Sequence, residues 1–199
     1  VWRGSARAPA PPRAARATAV KFGLLSVAAA ARGEAPPVAT YKPLAALVRP
    51  TRAIFLAQLD LVHEYADVRP DRAAEILAQV ESPEAFLTAV AYLHPTRTRW
   101  TLELLGVAFR LAQHVHFRLK HALACRRPHE LSPQLQPIIQ TPAHGSLPSG
   151  HATEAFTTAL VLLNVMRAGA NQAYASTELA RQLLRLAARI AVNRTVAGV

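Results

Sequence analysis

Residues 96–128 read TRTRWTLELLGVAFRLAQHVHFRLKHALACRRP, and this stretch decides the fold class. It holds no proline before Pro128 and one glycine, Gly106. Leu104, Val107, Leu111, Val115 and Leu119 recur at helical spacing, so a single helix is expected from Thr96 to about Arg126. Pro128 stops it, because the residue before a proline avoids the helical region.

The same grammar extends outward. Thr51 is placed to cap a helix running to about Ala66, and Asp71 one running to about Val80. Ser82-Pro83-Glu84 starts another that ends before the His94-Pro95 break. Downstream, five prolines in residues 128–148 predict a rigid loop of about 20 residues, a length that usually carries function. Ser149 then opens a helix to about Arg167, and Ser176 opens a last one to about Val192, with Leu179, Leu183, Leu186 and Ile190 on one face. No stretch reads as a convincing strand. The expected fold class is therefore all-α: a helical domain over residues 44–199, preceded by a disordered or extended basic Pro/Ala/Arg arm over residues 1–43.

The bulk numbers agree with one domain. The chain has 199 residues, 51% hydrophobic and 18% charged. Its formal net charge is +11, which suits an anionic substrate, an anionic membrane surface or nucleic acid. No basic-region helix, zinc finger or aromatic-interleaved RNA-binding stretch is present, so nucleic acid is not the expected partner. A single cysteine, Cys125, excludes an intrachain disulfide and a thiolate-rich metal site. No run reaches the ~20 apolar residues of a membrane span. A soluble setting, cytoplasmic or periplasmic, is expected, and a homo-oligomer is compatible with the sequence.

Two groups of residues carry chemistry. Lys120 and Arg127 stand seven apart, which on one helix is two turns and puts both side chains on one face, roughly 10 Å apart along the axis. A phosphate-sized anion fits between such tips, although i and i+7 cations more often form a solvated face. The second group is Pro148-Ser149-Gly150-His151. Ser149 is an N-cap, Gly150 admits close approach of a ligand, and the first-turn N–H groups with the helix dipole favour an anion. His151 sits at the same end, where a bound anion favours imidazolium and so a general acid.

Lys120, six residues, Arg127-Pro128, and then Pro148-Ser149-Gly150-His151, resemble two of the three signature motifs of the type 2 phosphatidic acid phosphatase and vanadium-dependent haloperoxidase superfamily. Asn193-Arg194-Thr195-Val196-Ala197-Gly198-Val199 looks like the opening of the third, with Asn193 where the family usually has serine. The resemblance covers about residues 120–199 and implies a helical bundle of the acid phosphatase/vanadium haloperoxidase type. It implies that Lys120, Arg127 and Arg194 hold the oxygens of a tetrahedral oxyanion, that Ser149 and the Gly150 N–H add hydrogen bonds, and that His151 is the catalytic acid–base residue. The family's third-motif histidine, the vanadium ligand of the haloperoxidases and the nucleophile of the phosphatases, falls beyond Val199. The domain is thus expected to be C-terminally incomplete, with no metal ligand in this chain and no turnover by the fragment itself.

His144, seven residues before His151, matches a histidine position of bromide-oxidising members and is a candidate residue behind the anion. It tilts the expectation toward a haloperoxidase that binds vanadate and oxidises halide with hydrogen peroxide. The alternative is a soluble acid phosphatase that acts on phosphate monoesters through a phosphohistidine and needs no cofactor. A non-catalytic anion- or nucleic-acid-binding protein is the third reading. The other histidines take blander readings. His114 and His116 are two apart on a helix and face different ways, and His121 points away from Lys120. His129 is a candidate for the mouth of the pocket, and Arg181, Arg185 and Arg189 form a solvated stripe.

Overall fold

Six of the expected helices form. The computed structural model describes residues 19–27, 39–169, 171, 174 and 176–199. They include α1 (Arg52–Glu64), α2 (Arg69–Ala78), α3 (Glu84–Val90), α4 (Arg99–Leu123), the one-turn α5 (Pro128–Leu131), α6 (Gly150–Ala168) and α7 (Thr177–Ala197), with a 3-10 turn at Tyr65–Val68. The described residues are mostly helical. Caps set several starts: the hydroxyls of Thr51, Ser149 and Ser176 accept from the N–H groups of Ile54, Ala152 and Leu179. Asp71 lies inside the first turn of α2 and Val68 is at its cap position, so the helix starts earlier than expected.

The core lies where α6 packs against α4 and α7, with α3 across one end. Leu87, Leu162, Leu183 and Ile190 are fully buried there, and Leu179 and Leu186 pack against them. Burial of each of the four contributes about 2 kcal/mol. The face of α4 turned inward is Leu105, Ala112, His116, Leu119, Lys120 and Leu123. Leu104, Val107 and Leu111, the row that marked the helix in the sequence, are exposed. Helix α4 carries two neighbouring apolar rows, and the one with the small Ala112 faces α6.

Three expectations change. A two-stranded antiparallel sheet pairs β1 (Ala19–Val27) with β2 (Ala39–Val48), where no strand was expected, and residue 44 falls inside β2. Pro43 sits beside the irregularity in the pairing, where a residue without N–H costs the ladder least. The rest of the expected arm, residues 1–18 and 28–38, lies outside the described residues. Helix α4 ends at Leu123, not near Arg126, because Ala124 takes the left-handed conformation (φ 46°) and closes the helix through its N–H to Lys120 O. Helix α7 runs five residues past Val192, to Ala197, so Asn193 and Arg194 belong to its final turns.

Candidate functional site

The end of α4, the loop after α5, the start of α6 and the end of α7 enclose a cavity of about 420 Å³. Lys120, Arg127, His144, Ser149, Gly150, His151 and Arg194 all line it. These seven residues therefore meet in one place, although 74 positions separate Lys120 from Arg194. One geometric argument is corrected. Lys120 and Arg127 do not share a helix face, since Arg127 stands in extended backbone at the N-cap of α5. The left-handed turn at Ala124 and the chain that follows bring it back toward Lys120.

Lys120 is 2% exposed, and its Nζ donates to the carbonyls of Gly145 (3.0 Å) and Ser146 (3.2 Å). Burial, reinforced by the charge of Arg127, lowers its pKa to about 8. The loop reaches Lys120 because residue 145 is glycine. A Cβ there would stand 3.0 Å from Lys120 O and 3.2 Å from the backbone of Cys125, and backbone cannot yield as a flexible side chain does. Arg127 is likewise buried. Its Nε donates to the carbonyls of Pro142 and His144, and its NH2 lies 3.3 Å from His144 Nδ1. Burial lowers its pKa, against the pull of Glu130, which accepts from the Arg127 N–H.

Arg194 is 5% exposed. Its NH2 donates to Gln79 Oε1 (3.3 Å) and weakly to Ile76 O (3.4 Å), while Nε and NH1 are buried without a hydrogen-bond partner. Burial lowers its pKa to about 10. Among the described residues, no carboxylate lies within ion-pair distance of Lys120, Arg127 or Arg194. Glu154 and Glu130 act on Lys120 and Arg127 from farther off, and three buried cations with no carboxylate in direct contact are costly unless something anionic joins them.

His151 Nε2 lies 3.0 Å from the Gln79 carbonyl. A carbonyl only accepts, so Nε2 carries the hydrogen and Nδ1 is the nitrogen left to exchange a proton. Burial first, then the charge of Arg194, lowers its pKa, so the imidazole is held neutral until an anion offsets Arg194. His144 is lowered by burial first and by Lys120, Arg127 and His116 after it, and its ring meets Phe117 edge-on at 5.1 Å.

Three cavity partners escaped the sequence reading. His116, 2% exposed, lines the cavity, and its Nε2 lies 3.1 Å from Oε1 of the buried Glu154, also in the wall. Its ring packs under Gly150, whose missing Cβ would stand 3.2 Å from His116 Cε1. Gln79, fully buried, joins His151 to Arg194 through its backbone and side-chain oxygens. Two signals were present. His116 is one turn before Lys120, and Glu154 is a lone carboxylate in the apolar run 152–166. His129, the candidate for the pocket mouth, does not line the cavity. Among the described residues, no group of three or more His, Cys, Asp or Glu is placed to hold a metal ion. No described helix is long and apolar enough to cross a membrane. Comparison with family models, with curated proteins and with solved structures gives no match in any of the three.

Proposed function

We propose that this cavity binds a tetrahedral oxyanion, and that it is the anion site of a vanadium-dependent haloperoxidase within the phosphatase/haloperoxidase superfamily that the sequence motifs resemble. The observation that carries the reading is the set of three buried cations, none of them ion-paired among the described residues, around one cavity at the N-terminus of α6. The donor set fits vanadate or phosphate. Arg194 Nε and NH1 are buried donors awaiting acceptors, and Lys120 and Arg127 supply two further positive charges.

Lys120, Arg127 and Arg194 would hold the oxygens, with Ser149 and the Gly150 N–H beside them. Bound vanadate supplies a Lewis acid that activates hydrogen peroxide toward a halide. The chain's own part is to neutralise the anion with prearranged charges. It also keeps His151 neutral and oriented so that Nδ1 takes or gives one proton as ligand charge changes. His144 lies in the same wall, its Nδ1 3.3 Å from Arg127 NH2, and its match to a histidine position of bromide-oxidising members of that superfamily favours the haloperoxidase over the phosphatase. Turnover is proposed for a chain that also carries the superfamily's third-motif histidine.

The test is a pair of assays on such a chain, bromide oxidation by hydrogen peroxide and hydrolysis of p-nitrophenyl phosphate, each with and without orthovanadate. Bromide oxidation that requires vanadate is expected. Hydrolysis that vanadate inhibits, without bromide oxidation, would select the acid phosphatase. Neither activity, with anion binding that survives Arg127→Ala and falls steeply with salt, would select a non-catalytic anion- or nucleic-acid-binding protein.

A further inference from the structure

We propose that His116, oriented by Glu154, is a further binding residue of this cavity, its Nδ1 accepting a hydrogen bond from a hydroxyl of the bound oxyanion. The inference rests on the oxyanion reading above and adds to it the protonation form of the ligand. His116 and Glu154 face each other from α4 and α6, with Nε2 and Oε1 3.1 Å apart and side chains only 3% and 9% exposed. The Glu154 carboxylate accepts, so Nε2 holds a ring hydrogen, and in the Nε2–H tautomer the lone pair is on Nδ1. That atom is buried and has no hydrogen-bond partner. Buried acceptors in folded proteins almost always have one.

The rest of the cage explains what the acceptor is for. Lys120, Arg127, Arg194 and the Gly150 N–H are donors only. Near neutral pH, inorganic phosphate and vanadate each keep at least one O–H, whose hydrogen none of these four groups accepts, and the Ser149 hydroxyl already accepts from the Ala152 N–H. His151 also has an unprotonated Nδ1, but that atom is assigned to proton exchange, and the His144 Nδ1 is engaged with Arg127. His116 Nδ1 is the buried ring nitrogen of the wall with nothing bound to it among the described residues. Glu154 fixes which nitrogen carries the ring hydrogen, which makes it a positioning residue. Gly150 allows the ring to lie this close beneath the start of α6.

Long-range proton–nitrogen NMR of the 15N-labelled chain, with and without inorganic phosphate at neutral pH, reads the ring nitrogens directly. The expected result is an Nε2–H tautomer for His116 and an upfield move of its Nδ1 resonance at saturation. Binding is then compared in three variants. His116→Asn keeps an acceptor near the Nδ1 position, His116→Gln keeps only a group near Nε2, and His116→Phe keeps neither. Phosphate affinity should fall about tenfold in the Gln and Phe variants and stay within about threefold in the Asn variant, the loss of one hydrogen bond. An Nδ1 resonance unmoved at saturating phosphate, or undiminished binding by His116→Phe, overturns the proposal while leaving the oxyanion site standing. Wild-type protein that binds no phosphate overturns both.

Discussion

Arg189 and Arg194 stand five residues apart on α7 and have opposite surroundings. Arg189 is about half exposed, and its guanidinium grips both oxygens of Glu75, which burial and bonding otherwise tie to Asn193 and Gln79. The Glu75 bonds raise the Arg189 pKa. Arg194 is buried, lacks a carboxylate, keeps two nitrogens without partners and has its pKa lowered to about 10. The first arginine is satisfied by the protein, and the second is satisfied only in part. Gln79 connects the two, since it donates to Glu75 and accepts from Arg194. On the proposed reading, the incomplete arginine is the one that an anion from outside the chain completes.

Substitution of each arginine tests that contrast, and the largest effect is expected at the buried one. Arg194→Ala should weaken phosphate binding about 100-fold or more, the loss of two charge-assisted hydrogen bonds. Its thermal stability should hold or rise, because a buried cation without a carboxylate partner is removed. Arg189→Ala should do the reverse, leaving affinity within about threefold while costing about 1 kcal/mol in denaturant unfolding, as expected for a half-exposed pair. Arg194→Ala with unchanged affinity would erase the distinction.

A middle-sized effect sharpens it through pH. Burial lowers the Lys120 pKa to about 8, against 10.5 for an ordinary lysine, and on the proposed reading an anion binds the charged form. Sulfate, whose own charge is constant in this range, should bind with steady affinity just below pH 8. Its affinity should then weaken by up to about tenfold per pH unit above it. Folding stability of the anion-free protein moves the other way. The unfolded lysine stays protonated up to 10.5, so the unfolded state binds more protons between pH 8 and 10.5 and stability rises there. A flat sulfate profile across pH 7 to 10 in calorimetry would place Lys120 outside the anion's reach.

The sequence disclosed helices and site to different depths. Capped starts were legible because a hydroxyl at Thr51, Ser149 or Ser176 is a local signal, and the six site residues and His144 were legible through motif spacing. The end of α4 was not, since Ala124 is neither Gly nor Asn and gives no sign of its left-handed turn. The hairpin was hidden by Gly23 in β1 and Pro43 in β2, each of which argues against a strand in a local reading. The inward face of α4 was obscured by a second apolar row. His116–Glu154 and Gln79–Arg194 bridge 38 and 115 positions, and only packing of α4, α2 and α7 around α6 creates them.

The central claim is that Lys120 and Arg127, parted by a turn rather than joined by a helix, hold the same anion. Calorimetric titration of the 199-residue chain with inorganic phosphate measures it most directly, alongside Lys120→Ala and Arg127→Ala. One phosphate per chain is predicted, with affinity reduced at least about tenfold in each variant. Phosphate affinity equal to wild type in both variants would contradict the account.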